Sequence, residues 1–137
     1  MQIYQETRGT RAPIVWSDLH HDIVGDARGH IKKVVNLEAV LTSLDNILRT
    51  SPFQRVMRPT FASGIGHYVF EPMTPAVIRS AIHEVQRAIN NWDDRIIIYS
   101  VSFEANPDNN SLGISISGSV RGYDDVFEYE TVVSAGE

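Results

Sequence analysis

The 137-residue sequence contains no cysteine. That excludes disulfides and thiolate metal sites, so the fold must hold by packing, and it suits a reducing cytosol. An excess of positive charge is also missing: 12 Lys and Arg against 17 Asp and Glu leave a formal net charge of −5. The cations are scattered rather than gathered into a stripe, which argues against DNA or RNA as a direct partner. No apolar run approaches membrane-spanning length, and the N-terminal MQIYQETRGTR lacks the apolar core of a signal peptide. A soluble product with no membrane partner, not secreted by that route, is expected. With 42% hydrophobic and 21% charged residues, the chain fits one domain with one core.

Residues 1–35 read as an irregular N-terminal arm, with a short apolar patch at Ile14, Val15 and Trp16, a hairpin around Gly25 to Gly29 and a short strand within His30 to Val35. Residues 36–94 are helical. Leu37, Val40, Leu41, Leu44, Ile47 and Leu48 recur at the spacing of one helical face, predicting a helix from Leu37 to Thr50 with the Asn36 side chain as its N-cap. A second helix follows Thr74 as cap and Pro75 at the first helical position, with a stripe of Val77, Ile78, Ala81, Ile82, Val85, Ala88, Ile89 and Trp92.

After Asp94 the period changes to two. RIIIYSVSF predicts a strand with Ile97, Tyr99, Val101 and Phe103 on one face. LGISISGSV and VFEYETVV predict two more, joined by the turn-forming EANPDNNS and RGYDD. Residues 95–133 therefore form a three-strand antiparallel meander against the two helices, an α+β fold. The last strand is expected at a sheet edge, where Glu128 and Glu130 admit two readings: discouraging strand pairing, or flanking an edge that accepts another chain's strand.

Between the helices lies a connector, residues 51–73, too long to be a structureless link inside so small a domain. Pro59 and Pro72 restrict its backbone, Phe61, Tyr68 and Phe70 are expected to anchor it on the core, and Ile65 to Phe70 to form a short helix. Arg55 and Arg58 are placed either to brace the connector or to meet a partner, since a guanidinium offers a planar fork of donors.

Catalysis and metal binding have candidates but weak patterns. Glu71, Asp93, Asp94 and Glu104 are the carboxylates nearest aromatic segments, and a pair across a cleft would suit glycoside hydrolysis. Glu71 is explained by the Phe-Glu-Pro turn and Asp93 and Asp94 by a helix end, and nothing in the sequence predicts a cleft. His20, His21, Asp22 and His30 have zinc-binding donors, but adjacent residues of an extended arm point to opposite sides, and His67 and His83 stand alone. No cofactor is expected.

The order helix ending in Thr, turn with Arg, Pro-x-Phe, Phe-Glu-Pro, helix ending in Trp, then acid plus Arg before a strand is carried here by Thr50, Arg55, Pro59, Phe61, Phe70, Glu71, Pro72, Trp92 and Arg95. From about Leu37 to Phe103 it resembles the baseplate wedge, or sheath-initiator, family of contractile-tailed phages, which includes the wedge component of type VI secretion systems. Where that family has Glu-Pro-Arg, this chain has Asp93, Asp94 and Arg95. The resemblance implies that these residues dock on the helical core bundle of the wedge. An exposed ion pair at an ordinary helix end is the alternative. It further implies that the C-terminal sheet, through Leu112, Ile114, Ile116, Phe127, Tyr129 and Thr131, exchanges strands with tail sheath subunits to seed their first ring. The expected protein is a non-catalytic virion component of the contractile-tail baseplate, assembled in the host cytoplasm, in six copies per baseplate, with tail-tube or other wedge proteins as further neighbours. A peptidoglycan-hydrolysing tail lysozyme and a β-augmentation adaptor of another complex are the alternatives.

Overall fold

The computed structural model describes residues 16–20, 25, 27–30, 33–123 and 126–134. Strand β1 (Ser17–Leu19) pairs antiparallel with β2 (Lys33–Val35). Helix α1 (Leu37–Arg49) follows, then a 3-10 turn (Gly64–Phe70), helix α2 (Pro75–Trp92), and strands β3 (Ile96–Asn106), β4 (Ser111–Val120) and β5 (Val126–Ser134). The last three form an antiparallel sheet in the order β3-β4-β5, the meander expected of an α+β chain.

The two helices form where the apolar stripes predict, because those stripes are what the core takes up. Val40, Leu44, Ile47 and Leu48 of α1 and Ala81, Val85 and Ile89 of α2 are buried. All of these except Ile47 meet Leu112, Ile114 and Ile116 of β4 and Phe127, Tyr129 and Val133 of β5 in one cluster. Thr74 Oγ1 accepts the Val77 N–H at 3.3 Å, capping α2 as expected. Asn36 does not cap α1 in that way. It has a positive φ of 51° and makes no side-chain cap bond; its side chain accepts the Trp16 N–H at 3.4 Å, while its own N–H donates to the Trp16 carbonyl at 2.8 Å. The N-cap residue is thereby used to hold the arm.

In β3 the expected face is corrected. Ile97 and Tyr99 are exposed, whereas Val101 and Phe103 pack on the core together with Ile98. The register shifts between Ile98 and Ser100, so Tyr99 is an extra residue that resets the alternation. Beside this irregularity Gly118 approaches β3 so closely that a Cβ would lie 2.3 Å from the Ile97 carbonyl oxygen.

The connector is fixed at its centre. The Ser63 N–H donates to the Ile47 carbonyl at 3.2 Å and its hydroxyl to that of Leu48 at 3.0 Å, while the Gly64 N–H donates to Glu84 of α2 at 3.0 Å. Ile65, which begins the predicted short helix, is completely buried. Phe70 is not an anchor: it is 73% exposed, because the 3-10 turn points Ile65, Tyr68 and Val69 inward and leaves Phe70 at its rim.

Candidate functional site

Asp93 ends α2, and its carboxylate is almost completely buried. Arg95 grips it through Nε at 2.8 Å and Nη2 at 2.6 Å, and the Arg95 backbone N–H adds a third bond at 3.1 Å. Burial pushes the Asp93 carboxyl up, but the Arg95 fork, the Ser43 hydroxyl and the Arg95 N–H outweigh it and hold the group below its ordinary value. Arg95 remains partly exposed, its guanidinium 5.5 Å from the Trp16 ring, and Trp16 in turn lies 5.5 Å from the Tyr123 ring. The arm is therefore held to the helix–strand junction by Trp16. Asp94 is exposed beside this cluster.

Further along the surface the motif residues of the connector come together in part. Thr50 ends α1, its N–H and hydroxyl both donating to the Asn46 carbonyl. Arg55 sits over the Phe61 ring at 4.1 Å, and Phe61 meets Trp92 edge-on at 5.0 Å, so a cation–aromatic stack ties the loop to the end of α2. The Pro59 carbonyl accepts the Phe53 N–H at 2.9 Å. Glu71 and Pro72 are exposed, the Glu71 N–H closing the 3-10 turn on the Tyr68 carbonyl and the Pro72 carbonyl accepting from Thr74.

The sheet residues expected to meet sheath face inward. Leu112, Ile114, Ile116, Phe127, Tyr129 and Thr131 are all buried in the chain's own core. Their side chains do not reach a partner while this fold persists, and β4, as the central strand, has both edges paired. Within this sheet only β3 and β5 have a side that no described strand covers. Along β5, Tyr129 donates its hydroxyl to Asp45, and Arg49 donates to Thr131 at 3.2 Å, locking α1 to the strand. Burial first, and then the Asp45 carboxylate, raise the Tyr129 phenol far above its ordinary range. Beside them runs an open groove of about 630 Å3, lined among others by Glu38, Asp45, Arg49, Glu104, Glu130 and Thr131.

The enzyme and metal candidates scatter. Asp93 is bound to Arg95, Glu104 lies on β3, and Glu71 and Asp94 lie on turns at opposite ends of α2. Among the described residues no group of three or more His, Asp or Glu is arranged to hold a metal ion; His21 and Asp22 lie outside them.

Residues 35–125 match the family model described as baseplate wedge protein gp25. The chain belongs to the gp25 baseplate wedge family. Enterobacteria phage T4 baseplate wedge protein gp25 is 25% identical over 106 residues, covering 77% of this chain and 80% of the phage protein. Baseplate protein W of Escherichia phage P2 is 32% identical over 69 residues, covering 50% and 60% respectively. Among solved structures, a Geobacter sulfurreducens protein provisionally named a tail lysozyme superposes with a TM-score of 0.62 at 29% identity, over 72% of this chain and 89% of that one. A chain of the sixfold-symmetrised anti-feeding prophage baseplate gives the same TM-score at 16% identity, over 89% and 87%, a likeness of fold alone. As a gp25-type protein, this chain is a structural component of a phage-type contractile tail baseplate.

Sequence reasoning missed three features. The Trp16–Tyr123 contact joins residues far apart in the chain, the Tyr129–Asp45 pair joins a strand to a helix, and the exposed apolar tip at Phe53, Val56 and Met57 looks like buried-core composition until the loop is folded.

Proposed function

We propose that this wedge protein docks on the core bundle of the baseplate through the Asp93–Arg95 junction and offers the free edge of β5 as the template for the first ring of tail sheath. The observation that carries the reading is the sheet order: β5 is terminal, and no described strand pairs with its outer side. An edge strand offers unpaired N–H and C=O groups, which a sheath strand satisfies by main-chain bonding without needing the buried side chains of β4 and β5. Arg95 supports the docking half, since its side chain is partly exposed and its guanidinium has donors beyond those given to Asp93. Six copies per baseplate, assembly in the host cytoplasm and a non-catalytic role complete the proposal.

Ordered reconstitution tests it. A wedge assembled without this chain is supplied with the wild type, then with sheath subunits. Sheath growth only on occupied wedges supports the reading; growth on empty wedges removes the template role. Asp94→Lys, which alters an exposed charge at the junction, should weaken wedge binding without loss of stability.

The acid-lined groove and the name of the Geobacter neighbour favour hydrolysis of peptidoglycan as a second reading. Glu104 and Glu130 are its carboxylate candidates; Asp45 is already engaged by Tyr129 and Arg49. Clearing of a peptidoglycan suspension by the wild type, abolished in Glu104→Gln or Glu130→Gln, would establish it. No clearing removes it.

A further inference from the structure

The loop just after α1 carries its apolar side chains outward. Phe53 is 81% exposed, Val56 93% and Met57 92%. Such exposure usually goes with mobile chain, but this loop is cross-braced. The Phe53 N–H donates to the Pro59 carbonyl at 2.9 Å, Ser51 N–H to the Gln54 side chain at 2.8 Å, Arg58 N–H to the Arg55 carbonyl at 3.2 Å, and Phe61 N–H to the Arg58 carbonyl at 3.0 Å. Phe53 also adopts a φ of 67°, a left-handed conformation that a bulky residue rarely takes without being held there. The Arg55–Phe61–Trp92 stack then connects the loop to the helix end that carries Asp93.

Charge identifies what would cover the tip. Between Thr50 and Phe70 the sequence contains Arg55 and Arg58 and no Asp or Glu, in a chain whose net charge is −5. A carboxylate-bearing partner is attracted at this loop and repelled by much of the remaining surface, which fixes its orientation. Phe53, Val56 and Met57 stand out into solvent, so a partner that covers them presents an apolar cleft.

We propose that residues 53–58 form a second wedge-docking element, in which Phe53, Val56 and Met57 enter an apolar cleft of a neighbouring wedge protein and Arg58 pairs with carboxylates on its rim. The inference rests on the wedge-docking reading above and adds to it a contact separate from Arg95. An anionic membrane is the other surface that would accept apolar side chains beside arginines. Two arginines on a chain of net charge −5 make a poor membrane anchor, because stable surface attachment takes a larger basic cluster.

The test measures binding to reconstituted wedges lacking this chain, for the wild type, Val56→Ser/Met57→Ser, Arg58→Glu and Arg58→Lys. All the altered residues are exposed, and thermal melting of each variant checks that folding is unchanged. The apolar double variant should bind at least about tenfold more weakly, as expected for central contacts of an interface. Arg58→Glu should weaken binding by about tenfold or more and flatten its salt dependence, whereas Arg58→Lys should restore most of the loss. Variants that bind like the wild type overturn the tip contact and leave the Arg95 contact standing; a wild type that ignores the wedge overturns both. Co-sedimentation with phosphatidylcholine–phosphatidylglycerol vesicles is the counter-probe. Tip-dependent binding to vesicles, with none to wedges, replaces the proposal with a membrane contact.

Discussion

Arg95 holds Asp93 by two parallel bonds, Nε to Oδ1 at 2.8 Å and Nη2 to Oδ2 at 2.6 Å, with the Asp93 side chain 2% exposed and the Arg95 side chain 29%. A residue expected to meet a partner is thus also part of the chain's own structure. Arg95→Ala leaves a buried carboxylate without its cation and should cost about 3 kcal/mol, the lower end for a broken buried pair because the arginine side admits water. Arg95→Lys keeps the charge and loses the fork, costing about 1 kcal/mol. Urea denaturation measures both. A docking defect in Arg95→Ala is therefore interpretable only beside its stability.

The same pair predicts an acid transition. Asp93 is held below its ordinary value of 3.8, and Glu84, bonded by Arg87 and the Gly64 N–H against the opposing effect of burial, below 4.5. A depressed carboxyl in the fold means that the unfolded chain binds more protons, so stability rises with pH through this window and is full above it. Melting temperature should fall as pH drops below about 4.5 and continue falling through the lower folded values. Glu84→Gln should melt lower at pH 7 and lose part of that acid dependence.

Connector anchoring rests on Ile65 rather than on Phe70. Ile65 is completely buried, so Ile65→Ala should destabilise by about 3 kcal/mol through lost contact and the cavity left behind. Phe70→Ala, at a side chain 73% exposed, should change stability by no more than about 0.5 kcal/mol. Equal effects in thermal denaturation would contradict this assignment.

Gly118 permits the irregularity in β3. In Gly118→Ala the new methyl would lie 2.3 Å from the Ile97 carbonyl oxygen and 3.2 Å from Phe127 Cζ. Backbone cannot yield there as a flexible side chain would, and a loss of about 3 kcal/mol is expected. Crystal structures or amide exchange of the variant should locate the disturbance at the β3–β4 pairing around Ile97.

Strand seeding at β5 has a directional signature. Successive N–H groups along a strand point to opposite edges, so Glu130→Pro and Thr131→Pro remove donors from different sides. One variant should lose a bond to β4 and be destabilised. The other should remain folded and fail to seed sheath. Two variants that both seed at the wild-type rate would remove β5 as the template.

Much of the fold was legible because its signals are local. The α1 and α2 stripes, the Thr74–Pro75 start and the two later strands follow from spacing alone, and the ordered motif from Thr50 to Arg95 pointed to the gp25 family. Asn36 shows where local reading stops: its side chain suits a cap, yet Trp16, 20 positions away, takes the bond. Residue type likewise suggested Phe70 as an anchor, although the 3-10 turn decides which aromatic residues face inward.

By itself the sequence determined which segments bury apolar faces, since periodicity requires only neighbouring residues, and it supplied the order of motif residues that marks the family. Only the tertiary structure decided that Phe70 stays at the rim of its turn, that Tyr99 resets the face of β3, and that Phe53, Val56 and Met57 stand in solvent. The physical reason is the same for all: exposure and free edges depend on which distant segments pack together, and a residue's type does not encode its neighbours across the fold.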